Sequence, residues 1–364
     1  MSKKKPINVA VVGLGRAGWN IHVAQLRDRK DFKIVAVVDP VDERLEQADK
    51  ELGARGYKTL SALLKDSKDV ELVSIATPSV SHGPDSKKAL KAGKHVVVEK
   101  PMATKVSEAD SMIRVAKAAR KKLFVHQNQR FAKHYTFMQD IIDSGIIGKV
   151  HFIRHAMNGF SRRNDWQTLS KYAGGVLNNT CPHSLDLLLA LAGGPATKVM
   201  GELRQIASAG DVEDHVKALI KTKTGCTIDL EVTSAVFNAM PIPRYVVAGQ
   251  YGTLTFTGHN TAELKYFDPK KAPKLVTIDG PATGRKYGND DKLPWKEKTY
   301  DVSTSKDKGN FYDNVYDVLR NRGKMRVTPE SVREVIRVIA EIRKGTDFPG
   351  KPVVKKSKRT KKKR

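Results

Sequence analysis

Val96-Val97-Val98-Glu99-Lys100-Pro101 is the stretch around which the rest of the chain can be organised. Its apolar run has the length of a buried strand. It ends in a carboxylate, an ammonium and a residue of fixed φ, at the carboxyl end where open α/β sheets hold their ligands. A lysine at a strand end is by itself most often a solvated one. Its neighbours give it more weight. On the N-terminal side the pattern predicts a helix over 81–92, stopped by Gly93, and before it a strand over 72–76 closed by Thr77-Pro78. On the C-terminal side it predicts a helix over 106–120 and a strand over 123–127 ending at Asn128. Strands and helices alternating at this spacing imply a doubly wound parallel sheet.

Further out, the short Val-rich run Ile7–Val12 is followed by Gly13-Leu14-Gly15-Arg16-Ala17-Gly18 and by a helix expected over 19–29. Strand, G-x-G-x-x-G and helix in that order form a dinucleotide fingerprint. Gly13 permits the tight turn, Gly15 the close approach of a pyrophosphate, and Gly18 the packing of helix on strand. A second strand over 33–38 ends in Asp39, roughly 20 residues beyond the glycines. A carboxylate there accepts both ribose hydroxyls of NAD and repels the extra phosphate of NADP, so NAD is the expected cofactor and NADP the weaker ligand. Arg16 and Arg44 temper this, because a guanidinium can hold that phosphate, although a solvated helix face is their ordinary use. Thr77, Pro78, His82, Glu99, Lys100 and Asn128 all fall at strand ends along one crevice. His82 taken alone reads better as a helix-start residue.

Composition limits the alternatives. With 364 residues and 40% hydrophobic content the chain can build two domains with real cores. No apolar run reaches the ~18 residues of a membrane span, and the charged start gives no secretory signal. Two distant cysteines, Cys181 and Cys226, point to a reducing compartment, so a cytoplasmic location is expected. The net charge of +27 invites a nucleic-acid reading. Eight of those charges lie between Lys355 and Arg364 and three at Lys3, Lys4 and Lys5, which leaves +16 on the body. The body's lysines are scattered without aromatic interleaving or a nucleic-acid fold signature, so no specific nucleic-acid partner is expected. Residues 351–364 read as a disordered basic tail.

After Gly148 the rhythm changes. Strands are expected over 149–157, 198–205, 216–221, 226–234, 244–248 and 253–256, with turns at Gly225 and Gly252. They imply an α+β domain on one large, mostly antiparallel open sheet. Late helices over 310–322 and 329–344, the second with Pro in its first turn, are expected to pack back towards the first domain. The chain thus divides into a dinucleotide-binding domain, 1–128, a second domain, 129–350, and the tail. Within the second domain, Asn179, His183 and Asp186 are spaced i, i+4 and i+7, but Pro182 fits only in a first turn, so a helix should start near Cys181 with Asn179 just ahead of it. A buried His tied to Asp186 is the plain reading. Beside a cofactor crevice, His183 is the side chain best suited to moving a proton. In a loop before this stretch, Trp166 can stack on a sugar ring while Arg163 or Gln167 reads hydroxyls, or the same residues anchor the loop. No His/Cys/Asp/Glu cluster has metal-ligand spacing, so no metal is expected.

With both halves in view the chain resembles the Gfo/Idh/MocA oxidoreductases over nearly its whole length. The resemblance rests on Gly13 to Gly18, Thr77-Pro78, Glu99-Lys100-Pro101 and the stretch from Gly174-Gly175 through His183 to Asp186. It implies a Rossmann domain followed by an α/β domain whose open sheet supports homodimers or homotetramers. It also implies a nicotinamide between Lys100 and His183, and a sugar, polyol or glycoside oxidised at a secondary alcohol. Lys100 would hold the reacting hydroxyl and help take its proton, His183 would be the second acid/base, and Glu99 would position the crevice. Many family dehydrogenases carry an Asp four residues before the His. Asn179 stands there in this chain, able to orient a hydroxyl but not to accept its proton. Two other functions stay open: an NAD-dependent glycoside-cleaving enzyme working by transient oxidation and elimination, and a non-catalytic NAD- or sugar-binding protein.

Overall fold

The computed structural model describes residues 5–348 apart from 238–241, 259, 282, 286 and 289–290. The basic tail and its expected disorder lie outside the described residues.

The first domain runs β1 (Ile7–Val12), a π-helical stretch Gly18–Val23 continuing into α1 (Ala24–Leu26), β2 (Phe32–Val38), α2 (Asp42–Leu52), β3 (Arg55–Tyr57), α3 (Leu60–Asp66), β4 (Leu72–Ile75), α4 (His82–Lys91), β5 (His95–Val98), α5 (Val106–Ala118) and β6 (Leu123–Val125). The six strands pair in parallel in the order β3-β2-β1-β4-β5-β6. This is the doubly wound order, whose crevice opens where chain direction through the sheet reverses, beside the carboxyl ends of β1 and β4. Val96, Val97 and Val98 are fully buried because helices cover both faces of the sheet. The helix expected over 19–29 is shorter and begins as a π-turn. β3 has three residues, one of them Gly56, and is too short to show a period in sequence.

The second domain runs α6 (Lys133–Asp143), β7 (Val150–Asn158), α7 (Val176–Asn179), α8 (Cys181–Leu191), β8 (Ala196–Arg204), β9 (His215–Thr222), β10 (Thr227–Thr233), β11 (Tyr245–Gly249), β12 (Gly252–Phe256), β13 (Thr261–Tyr266) and β14 (Lys296–Asp301). These strands form one sheet in the order β14-β13-β12-β11-β7-β10-β9-β8, antiparallel except for β7 with β10. Alternation is clean in the middle of the sheet. Ile228, Leu230 and Val232 turn inwards against α8, while Asp229 and Glu231 meet Lys217 and Arg154 on the outer face. β13 and β14 lie beyond the strands anticipated from sequence. β14 is an edge strand of Lys, Glu and Thr, nearly all exposed, and its existence depends on pairing with β13.

α9 (Phe311–Tyr316), followed by a π-helical stretch Asp317–Asn321, and α10 (Pro329–Arg343) end the described fold. Phe311, Tyr312 and Val315 belong to the first core. α10 serves both cores: Val332 and Ile336 enter the first, and Val335, Val338, Ile339 and Ile342 the second. It is a clamp between the domains. Among the described residues no helix is long and apolar enough to cross a membrane.

Candidate active site

A cleft of about 960 Å³ opens along the carboxyl ends of β1, β2, β4 and β5, and the segments around α7 close its other side. The glycine turn forms one end. Gly13 has φ +87°, and a Cβ there would stand 2.8 Å from the Ala76 carbonyl oxygen. A Cβ on Gly18 would fall 1.7 Å from the Gly13 carbonyl oxygen, so helix and turn can touch only because residue 18 is glycine. Gly15 faces open space, and a side chain there would fill the cradle a pyrophosphate needs. Gly13, Gly15, Arg16 and Ala17 line the cleft, whereas Leu14 and Gly18 do not. Gly18 sets the packing, and Leu14 points inwards with its N–H donated to Asp39 Oδ2 at 2.7 Å.

Asp39 also accepts from Val41 N at 3.0 Å, and Arg44 Nη1 lies 3.3 Å from Oδ2. It is a buried carboxylate pre-set by backbone donors at the ribose end. The end of β3 supplies neighbours that sequence reading missed: Lys58 and Thr59 line the same end, and Lys58 donates to the Pro40 carbonyl at 3.1 Å. Thr77 and Pro78 border the middle, where Thr77 Oγ1 donates to Asp85 Oδ2 at 3.0 Å and burial raises the Asp85 pKa. His82 borders the cleft as a strut, its ring nitrogens 2.7 Å from the Pro101 carbonyl oxygen and 2.8 Å from that of Thr77. Burial lowers its pKa. Both partners are acceptors, so the neutral ring donates to only one of them.

At the other end Lys100 crosses from one domain to the other. Its Nζ donates to the Asn179 carbonyl at 2.7 Å and lies 3.3 Å from Asn179 Oδ1. Burial lowers the Lys100 pKa, the charges of Arg16 and Arg163 lower it further, and Glu99 opposes them. An amine that loses its proton more easily than a free lysine is suited to act as a base. Asn179 closes α7 and exchanges amide contacts with Gln167, its Nδ2 donating to Gln167 Oε1 at 3.1 Å. His183 lies in the first turn of α8, with Pro182 in the position that tolerates it. Burial, then the charge of Lys100, push His183 down to about 3. A neutral imidazole is therefore the resting form, able to accept a hydrogen bond at its bare nitrogen but reluctant to take up a proton.

The alternative pairing of His183 with Asp186 is not formed. Asp186 is buried and takes a bidentate contact from Arg130, 2.6 Å from Nε and 2.9 Å from Nη2. The i+3 spacing put His183 and Asp186 near one another, but an arginine from the segment after β6 reaches the carboxylate first and pins that segment to α8. On the rim, Arg163 donates to Asp165 Oδ2 at 2.6 Å, and Trp166 stands 44% exposed, edge-on to Tyr172. Arg163, Trp166 and Gln167 all line the cleft, as do Asn128 and the unanticipated Gln129 and Asn178.

Glu99 behaves differently from a simple crevice-positioning group. It is buried, and its Oε1 accepts from His126 Nδ1 at 2.7 Å, with His22 Nε2 3.1 Å away. The His22 contact is an ion-pair distance without hydrogen-bond alignment. Burial alone would raise the Glu99 pKa, but the charge and hydrogen bond of His126, helped by His22, hold it well below the usual carboxylate range. The ligand atoms of His22, Glu99 and His126 all lie within 4.8 Å of one another, so the fold assembles a potential metal-ligating trio that sequence spacing did not suggest. The hydrogen bond from His126 and the ion-pair contact with His22 already account for that closeness.

A two-domain architecture with a glycine turn, an acidic ribose end and a lysine at the domain junction defines a dinucleotide-dependent oxidoreductase fold. The family model for the oxidoreductase family's NAD-binding Rossmann fold matches residues 7–127, and that for the GFO/IDH/MocA C-terminal domain matches residues 135–255. The chain belongs to the Gfo/Idh/MocA family, and its N-terminal domain binds NAD. It is 34% identical over 60% of its length to a 1-carboxy-3-chloro-3,4-dihydroxycyclohexa-1,5-diene dehydrogenase of Comamonas testosteroni, covering 56% of that protein. It is 28% identical over 60% of its length to the myo-inositol 2-dehydrogenase of Thermotoga maritima, covering 66% of it. The matches thus span somewhat more than half of these relatives. Among solved structures, an NAD-binding protein from Listeria innocua superposes with a TM-score of 0.74 at 27% identity, covering 92% of this chain and 93% of that one.

Proposed function

We propose that this chain is an NAD-dependent dehydrogenase that oxidises a secondary alcohol of a sugar or cyclic polyol. The observation that carries the reading is Lys100: a shielded amine with a lowered pKa, held at 2.7 Å from the Asn179 carbonyl where the two domains meet. The bound nicotinamide supplies the hydride acceptor. In its neutral form Lys100 takes the proton of the reacting hydroxyl, neutral His183 accepts a hydrogen bond from that hydroxyl or its neighbour, and Asn179 with Gln167 orients the ring. Trp166 offers an exposed aromatic face to the sugar or polyol at the rim. The relatives support a ring with vicinal hydroxyls, since one is named for a dihydroxycyclohexadiene and another for myo-inositol.

Turnover with a panel of sugars, cyclic polyols and glycosides in heavy water tests this. A substrate should reduce NAD stoichiometrically and give a product two hydrogens lighter. Aglycone release with deuterium in the freed sugar and no accumulating NADH would reject the dehydrogenase in favour of redox-assisted cleavage. We also propose that the chain forms a homodimer or homotetramer through the outer face of the eight-stranded sheet, where Met200 is 65% and Leu219 41% exposed. A monomer in light scattering would reject that.

A further inference from the structure

The trio beneath the cleft has one group that the dehydrogenase reading does not use. His126 directly follows β6, and its N–H donates to the Val98 carbonyl at 2.8 Å, which fixes it beside Glu99. Its ring packs 4.7 Å from His22 and edge-on at 4.7 Å to Phe311. Behind it the network continues: His22 Nδ1 is 2.7 Å from the Tyr312 hydroxyl, itself 3.3 Å from Ser74 Oγ. Glu99 is held ionised by this arrangement and can only accept, so the Nδ1 of His126 is the donor in their 2.7 Å contact. In the neutral ring the other nitrogen, Nε2, is then a bare acceptor. That atom is buried, and it has no hydrogen-bond partner among the described residues. A buried acceptor without a donor is destabilising, because it has given up water and received nothing in exchange. His126 lines the cleft and is hydrogen-bonded to Glu99, the residue before Lys100, so it stands at the reacting end and not at the adenine end.

We propose that His126 is a cofactor-binding residue whose Nε2 accepts a hydrogen bond from the nicotinamide half of NAD, with Glu99 fixing the tautomer that makes this possible. The donors available there are the carboxamide N–H and the hydroxyls of the adjoining ribose. The proposal rests on the NAD-binding domain and is independent of which alcohol is oxidised.

The experiment is calorimetric binding of NADH, ADP-ribose and ADP to the full chain and to two variants. His126→Asn keeps an amide near the Nδ1 position and leaves nothing at Nε2, whereas His126→Gln places an amide near Nε2. His126→Asn should weaken NADH about tenfold and leave ADP unchanged, the scale of one lost hydrogen bond, and His126→Gln should recover part of the loss. Loss confined to NADH assigns the carboxamide; equal loss for NADH and ADP-ribose assigns the ribose; both support the proposal. Unchanged NADH affinity in His126→Asn, or equal weakening of all three ligands, overturns it. A wild-type chain that binds neither NADH nor ADP would instead overturn the cofactor assignment.

Discussion

The state of His183 can be read through stability. Its folded pKa is about 3, against 6.5 for the free side chain. The unfolded chain therefore binds more protons between those values, and folding stability is complete above about pH 6.5 and lost progressively as pH falls towards 3. At about pH 5 the unfolded imidazole gains about 2 kcal/mol from protonation that the folded one forgoes. His183 Nδ1 is fully covered but the residue as a whole is only partly buried, so about 1–2 kcal/mol is the fair expectation. Urea unfolding of wild type and His183→Gln near pH 7.5 and near pH 5 measures it. The wild type should lose that much more stability across the interval than the variant. His155, fully buried and likewise pushed down to about 3, gives an independent scale through His155→Gln. If wild type and His183→Gln lose stability in parallel, His183 is protonated in the folded cleft and its role as an acceptor is wrong.

Lys100→Met should lower turnover by ~10²–10⁴-fold and leave NADH affinity within about twofold, because Gly13 to Gly18 and Asp39 hold the other end of the cofactor; single-turnover absorbance and calorimetry separate the two. Because burial lowers the Lys100 pKa, the rate should rise with pH and level off below the ~10.4 of a free lysine; a plateau at or above that value in a pH–rate profile would contradict the role of base. Asp39→Ala should narrow the preference for NADH over NADPH by removing a carboxylate and releasing Arg44 from its 3.3 Å contact, as competitive binding of the two cofactors would reveal. Asp186→Asn should cost about 3–5 kcal/mol by leaving Arg130 buried beside a neutral partner, and Arg130→Met with Asp186→Leu should recover much of it in thermal unfolding.

Strand ends in a parallel sheet announce themselves in sequence because each is a short apolar run followed by the residues that meet the ligand. That is why Gly13 to Gly18, Asp39, Thr77-Pro78 and Lys100 could be placed along one crevice before any coordinates. Pro182 likewise located the start of α8 from a local rule about its missing N–H. β3 and β14 could not be found this way. One is three residues long, and the other is a polar edge whose pairing partner, not its own pattern, makes it a strand.

The same division runs through the site. Sequence alone determined the two-domain oxidoreductase fold, the glycine turn and the identity of the lysine, because those depend on near neighbours in the chain. Only the tertiary structure decided that Asp186 belongs to Arg130, that His183 is neutral, and that Glu99 spends its carboxylate on His126 and His22, residues 27 and 77 positions away. Such contacts have no local signature. A histidine's protonation and a carboxylate's partner are set by burial and by whichever donor the packing of distant strands and helices brings within 3 Å.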